Sequence, residues 1–177
     1  MDDRTLVTEC AKGNPRAQRA LFDKFAPKML AVIMRYLRNM DEAEDTLQDG
    51  FVKIFHKIGE FKMEGSLEGW IRRIMVNTAL DMLRKNKKLL GDVQLDDVSY
   101  KVSYEDTGFD EMNVEQLLQL IDALPDGYRI VFNMFAIEGY SHKEIADTLG
   151  VTENTSKSQY SRARAFLRNQ LEKIESD

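Results

Sequence analysis

Three sets of side chains have the type and spacing to do chemistry, and the chemistry they suit is recognition rather than bond making. Near the C-terminus, Lys157, Ser158, Ser161 and Arg162 are linked by i,i+4 steps, with Gln159 beside them. Such steps place side chains on one face of a helix. Cations, hydroxyls and an amide together are what phosphate oxygens and base edges bond to. A surface helix with a solvated charged side is the plain alternative. Against it, five basic residues from Lys157 to Lys173 face a single acid, Glu172. The second set is acidic: Asp45, Gln48 and Asp49 fall on one side of a helix, away from Ala43, Leu47, Phe51, Ile54 and Phe55. They form either a solvated acidic face or a contact surface for a basic partner, and the residues alone do not choose. The third set is the loop Phe61-Lys62-Met63-Glu64-Gly65-Ser66 with the helix that follows it. An aromatic beside a basic helix suits a single-strand binder, which needs charge for phosphates and a flat ring for an unstacked base.

The elements that position these sets are helices. Ser141 sits at an N-cap with Glu144 three residues on, a capping box, and Gly150 closes that helix in the left-handed conformation. Thr152 then caps a second helix whose apolar positions are Tyr160, Ala163, Leu167, Leu171 and Ile174. A short helix, a turn and a second helix with a basic face is the helix-turn-helix arrangement, whose second helix enters the major groove. Glu111 to Leu124 reads as amphipathic through Val114, Leu117, Leu118, Ile121 and Leu124. From about Asp126 to Ile137 the chain is apolar nearly all round, so that helix is expected to be buried beneath the helix-turn-helix.

In the N-terminal half, one helix is expected around Thr5–Ala11 and another over Ala17–Leu37, interrupted or kinked at Pro27. The acids Asp41, Glu42, Glu44, Asp45 and Asp49 begin a third. Leu67 to Lys88 reads as a long helix along which Trp70, Ile74, Asn77 or Thr78, Asp81 and Arg84 or Lys85 follow one another. From Ile71 to Leu90 it sets six basic residues against Asp81 alone. Trp70 reads first as a core anchor. Asn77, alone in an apolar run, serves equally a helix–helix hydrogen bond or a base contact. Between the halves, Asp92 to Asp110 carries six acids and one lysine without a sustained helical stripe, and reads as a linker. At about 3.3–3.6 Å per extended residue, it can separate modules that read sites one to two duplex turns apart.

The 177 residues are 43% hydrophobic, with three prolines and a net charge of −5. The average charge is misleading, because the charges are sorted into blocks and local fields attract phosphate. The lone Cys10 excludes an intramolecular disulfide and a cysteine zinc site. No apolar run reaches the roughly 18 residues of a membrane span, and Met1-Asp2-Asp3 does not begin a signal peptide. The expected location is cytoplasmic, without membrane insertion.

The runs AEDTLQDGFVKIF, FKMEGSLEGWIRRIMVNTALDMLRK and ALPDGYRIVFNMF with EGYSHKEIADTLGVTENTSKSQYSRARAFLR, in that order, resemble the sigma-70 family of bacterial RNA polymerase initiation factors. More narrowly, they resemble its extracytoplasmic-function group, which keeps conserved regions 2 and 4. The resemblance implies an all-α protein of two small helical domains joined by an acidic linker. These are a region 2 bundle over 1–90, the linker over 91–110 and a region 4 helix-turn-helix over 111–177. It implies a transcription initiation factor rather than an enzyme, whose partners are core RNA polymerase, promoter DNA and an anti-sigma factor, with no cofactor and no metal.

By the same resemblance, Asp45, Gln48 and Asp49 grip the polymerase clamp helices. Phe61, Lys62, Met63, Glu64, Gly65, Ser66, Asn77 and Arg84 serve the −10 element, the loop capturing a flipped base. Lys157, Ser158, Gln159, Ser161 and Arg162 face the −35 element, and the linker threads the polymerase cleft. The chain departs from the family pattern at Ser156, where many members carry an apolar residue. It departs again at Gln159, which replaces a frequent arginine, and in a −10 loop carrying Met63 and Gly65. Neither region 1.1 nor a region 3 domain is visible. Two other classes compete: a stand-alone helix-turn-helix regulator, and a nucleic-acid enzyme with Asp45 and Asp49 as metal ligands. His56 and His142 stand isolated, which suits surface or capping roles.

Overall fold

The structure, a computed structural model, describes residues 1–86 and 113–176. The expectations for Lys87, Lys88 and the stretch 89–112, the acidic linker included, fall outside these residues. Among the described residues all regular structure is helical. The chain divides into two compact units, residues 1–87 and 88–177.

The first unit begins with α1 (Asp3–Ala11) and α2 (Pro15–Met34). Asp2 caps α1 by accepting from Thr5 N at 2.7 Å. Asn14 caps α2, with Pro15 at the first helical position, where its missing N–H costs nothing. Contrary to the interruption expected at Pro27, α2 runs through that residue as one element. Pro27 is exposed, so the hydrogen bond it forfeits falls on the solvent side, while buried Phe25, Ala26 and Met29 hold the helix down. Next come α3 (Met40–Lys57), a 3₁₀ turn (Ile58–Glu60) and α4 (Leu67–Lys85). Helix α4 has Asn86 as its C-cap. There the Asn86 amide donates to Glu42 Oε1 of α3 at 3.0 Å.

Helices α3 and α4 approach closely at Gly50. A Cβ built there would lie 2.3 Å from Met75 Sδ and 2.9 Å from its Cε, and Met75 is fully enclosed. Forcing volume into a filled core typically costs about 1–3 kcal/mol. Gly50→Val is therefore expected to lower stability by about that amount, and adding Met75→Ala to recover part of the loss. Denaturant midpoints of the two variants check this; equal stability of Gly50→Val and the parent would mean that Met75 yields freely.

The second unit comprises α5 (Val114–Asp122), α6 (Asp126–Phe132), a π-helical segment (Asn133–Ile137), α7 (His142–Leu149) and α8 (Glu153–Glu175). Its core gathers Ile121, Leu124, Phe132, Ala163 and Leu167. The apolar segment after Asp126 is buried as expected. It is not one regular helix, however: Glu138 N donates to Asn133 O, a π-type bond at 2.9 Å. It also encloses a charge the sequence reading passed over, Arg129, which donates from Nη1 to Asp126 Oδ1 at 2.8 Å. The stripe expected on α5 is only half realised. Ile121 and Leu124 are buried, Leu117 and Leu118 half-buried and Val114 70% exposed, because α5 packs on the core from Leu117 onward.

Candidate nucleic-acid interface

The helix-turn-helix is built by its caps. Ser141 Oγ accepts from Glu144 N at 3.1 Å, and the Glu144 carboxylate accepts from Ser141 N at 3.3 Å. Gly150 ends α7 at φ 70°, which only glycine adopts without strain. Thr152 then caps α8, its Oγ1 accepting from Thr155 N at 3.1 Å. On α8, Lys157 and Ser158 are exposed, and Ser161 and Arg162 are half-buried one turn further on.

Gln159 does not join them. It is 2% exposed, and its Oε1 has no hydrogen-bond partner among the described residues. The buried stripe of α8 is Ser156, Gln159, Ala163, Leu167 and Leu171: Ala163, Leu167 and Leu171 are buried as expected, and Ser156 and Gln159 join them. Tyr160 lies at its edge, half-buried, and Ile174 is 54% exposed. Phe132 of α6 gathers with Ala163 and Leu167, and His142 of α7 meets Ser156, so position outweighs polarity. The Gln159 amide is therefore enclosed and does not share the exposed face of Lys157 and Ser158.

His142 is not isolated either. Its ring stacks on Phe135 with centroids 4.2 Å apart and planes 12° apart. Its Nδ1 shares a 2.8 Å hydrogen bond with Ser156 Oγ. Burial, and then the charge of Lys157, push the imidazole below its ordinary pKa, with Glu153 pulling the other way. Nothing in the sequence pairs residues 142 and 156 except the turn that folds α7 onto α8.

In the first unit, Asp45, Gln48 and Asp49 are exposed on α3 and bonded to nothing else among the described residues. Val52, one turn beyond Gln48 and 55% exposed, extends the same face. The sequence reading missed it, although the i,i+4 step from Gln48 was visible.

The loop between Phe61 and α4 is exposed from Lys62 through Ser66. Its backbone is left-handed at Met63 (φ 58°) and Gly65 (φ 81°). A non-glycine residue there carries about 1–2 kcal/mol of steric cost. Ser66 has a structural duty, since its Oγ caps α4 by accepting from Gly69 N at 2.9 Å. Phe61 is half-buried against Trp70, centroids 5.2 Å apart. Trp70 is thus neither a deep core anchor nor a free ring but the support for Phe61.

Asn77 is exposed and makes no helix–helix hydrogen bond among the described residues; Thr78 beside it receives Lys53 Nζ at 3.3 Å instead. Residues 70, 73, 77, 81 and 84 follow one line of α4, with Arg73, Asn77, Asp81 and Arg84 exposed along it. Arg73 is a further candidate that the same spacing could have identified. Asp81 engages both Arg84, at 2.9 Å, and Lys53, at 3.5 Å. Pairs this exposed contribute about 0–1 kcal/mol, so either cation can be given over to phosphate at little cost.

Comparison with known proteins bears on both units. The family model described as Sigma-70 region 2 matches residues 21–89, and that described as Sigma-70, region 4 matches residues 114–167. The chain is 30% identical to the ECF RNA polymerase sigma factor SigE of Mycolicibacterium smegmatis, over 89% of this chain and 62% of that protein. It is 26% identical to the RNA polymerase sigma-H factor of Pseudomonas aeruginosa, over 97% of this chain and 95% of that one. Among solved structures, CnrH in complex with the cytosolic domain of CnrY aligns at TM-score 0.53 and 23% identity, covering 96% and 97% of the two chains. The sigma factor RpoE in complex with the anti-sigma factor NepR from Bartonella quintana aligns at TM-score 0.52 and 24% identity, covering 87% and 96%. At these identities the structural likeness speaks to the fold.

Proposed function

This chain belongs to the extracytoplasmic-function group of the sigma-70 family, and from that premise we propose that it joins core RNA polymerase and directs it to promoters through separate −10 and −35 contacts. Region 2 corresponds to residues 1–90 and region 4 to 111–177, with 91–110 as the tether. In this reading the exposed face of α3, with Asp45, Gln48 and Asp49, docks on the polymerase. The loop 61–66 and the α4 line through Asn77 and Arg84 hold the opened −10 strand. Lys157, Ser158, Ser161 and Arg162 of α8 read the −35 duplex, where good bidentate contacts discriminate by about 1–3 kcal/mol each.

The observation that carries this is the exposed, unbonded Asn77 in line with a loop whose backbone is left-handed twice, in a chain that also carries a capped helix-turn-helix. A regulator acting alone needs the second feature and has no use for the first. Since the matched structures are complexes with CnrY and with the anti-sigma factor NepR, an anti-sigma partner that covers these faces is part of the proposal.

Run-off transcription with core polymerase on a promoter library tests it. The expected result is transcription dependent on both the chain and the core enzyme, from templates sharing two sequence elements. Specific retention of the same templates by the chain alone, unchanged on adding core polymerase, would make it a stand-alone regulator.

A further inference from the structure

The start of α8 is held by contacts that none of the roles above uses. Ser156, in the first turn of α8, is completely enclosed. Its hydroxyl meets Nδ1 of His142, the first residue of α7, at 2.8 Å. The His142 ring lies flat on Phe135 of the π-helical segment. Phe135 also meets Tyr160, one turn beyond Ser156, with centroids 4.6 Å apart, and Tyr160 stacks on Phe132 of α6 at 5.8 Å. One polar contact and four rings therefore tie the first turns of α8 to α6, to the π-helical segment and to the head of α7.

A hydrogen bond and an apolar contact do different things at such a place. Dispersion and burial are non-directional, so an apolar side chain at 156 would fill the space and tolerate small rotations of α8. A hydrogen bond weakens steeply as its angle departs from linear, so it selects one orientation. Breaking it also strands a hydroxyl in an enclosed site, where an unpaired polar group is costly. Lys157 and Ser158 follow Ser156 directly in the chain. Whatever holds residue 156 consequently aims the first two residues of the exposed face, and recognition constellations work only when held within about 0.5 Å and 10–20°.

We propose that His142 is a positioning residue for −35 recognition: through Ser156 it holds the angle at which α8 enters the groove, while itself touching no base. The proposal rests on reading α8 as the −35 reader. The neutral ring suits the role, because it stacks on Phe135 without bringing a second positive charge beside Lys157. The charged groups that act on it are Lys157 and Glu153 of α8.

The test uses the full chain with core polymerase on a promoter library randomised in the −35 element, with the −10 element fixed. His142→Phe keeps a flat ring on Phe135 and removes Nδ1. His142→Asn removes the ring and sets an amide near the place of Nδ1. Ser156→Ala removes the hydroxyl. His142→Phe and Ser156→Ala are each expected to weaken −35 preference about five- to tenfold, the scale of one net hydrogen bond. Retention on scrambled duplex at low salt should stay unchanged, and the double variant should be no worse than either single one. His142→Asn should recover the preference to within about twofold of the parent. Preference retained by both His142→Phe and Ser156→Ala overturns the proposal. So does a loss that tracks the thermal midpoint across all variants, His142→Asn included, since that is a purely structural role. A parent chain with no −35 preference overturns the reading of α8 itself, and the two failures are thus told apart.

Discussion

Replacing Asp45 and Asp49 together by lysine is expected to weaken binding to core RNA polymerase by about 2–5 kcal/mol, roughly thirtyfold or more, while leaving the fold intact. Both carboxylates are exposed on α3 and bonded to nothing else among the described residues, so no contact within the chain is lost with them. The acids of the first turn, Asp41 and Glu42, stay in place to face the positive end of the helix. The denaturation midpoint should therefore move little. At an interface the balance differs. A reversed charge loses its partner and repels it as well, at an effective dielectric far below that of water. Val52 on the same face gives such a contact an apolar centre, where exclusion of water strengthens the ion pairs beside it. Titration against purified core polymerase, beside a melting curve, separates the two effects. Unchanged affinity with an unchanged midpoint would remove polymerase docking from this face.

What could be read ahead of the structure was whatever a short stretch of chain decides by itself. The capping box at Ser141 and Glu144, the stop at Gly150 and the cap at Thr152 each depend on a few neighbouring residues, and each forms as read. Phasing long helices against one another was harder. On α8, the expected positions Ala163, Leu167 and Leu171 are buried and Tyr160 packs against the core, but polarity hid the enclosure of Ser156 and Gln159. What decides is which residues of α6 and α7 meet the helix, Phe132 at Ala163 and Leu167 and His142 at Ser156, a tertiary fact with no local signature. The same holds for His142 and Ser156, fourteen positions apart and joined only once the turn closes. The π-helical segment was invisible for a different reason. An all-apolar run reports burial but not whether its carbonyls bond four or five residues on. Among the site residues, exposure followed the sequence reading at Asp45, Gln48, Asp49, Asn77, Lys157 and Ser158, where a charge or amide faced no competing partner. It failed at Gln159, whose place on the helix is enclosed although its amide meets no partner among the described residues.

Exchanging residues 62–65 for the loop of a related factor is expected to change which −10 sequences are melted while binding to the −35 element is kept. Unstacking a base costs a few kcal/mol, and the first unit has three features that can offset it. Phe61 already stands against Trp70, so a ring wall exists before DNA arrives, and stacking on such a ring is worth roughly 1–3 kcal/mol per base. Met63 and Gly65 hold the loop in left-handed turns, which leaves backbone groups of an exposed segment open to a base edge. Asn77 presents an unused amide on the following helix. Asn77→Ala should then cost about 1–3 kcal/mol in melting at one −10 position. Gly65→Ala should weaken melting of every promoter alike, because it strains the loop at φ 81° without altering what the loop reads. Phe61→Ala should do the same, by removing the wall. Ser66 is left out of the exchange, since its loss would uncap α4 and confuse folding with recognition. Permanganate footprinting on promoters that differ only in the −10 element makes the measurement, with −35 occupancy as the internal reference. If the exchanged loop melts the same promoters in the same ranking, residues 62–65 merely connect two helices. Base selection then falls to the exposed line of α4 alone, and Asn77→Ala should still change the ranking when the loop does not.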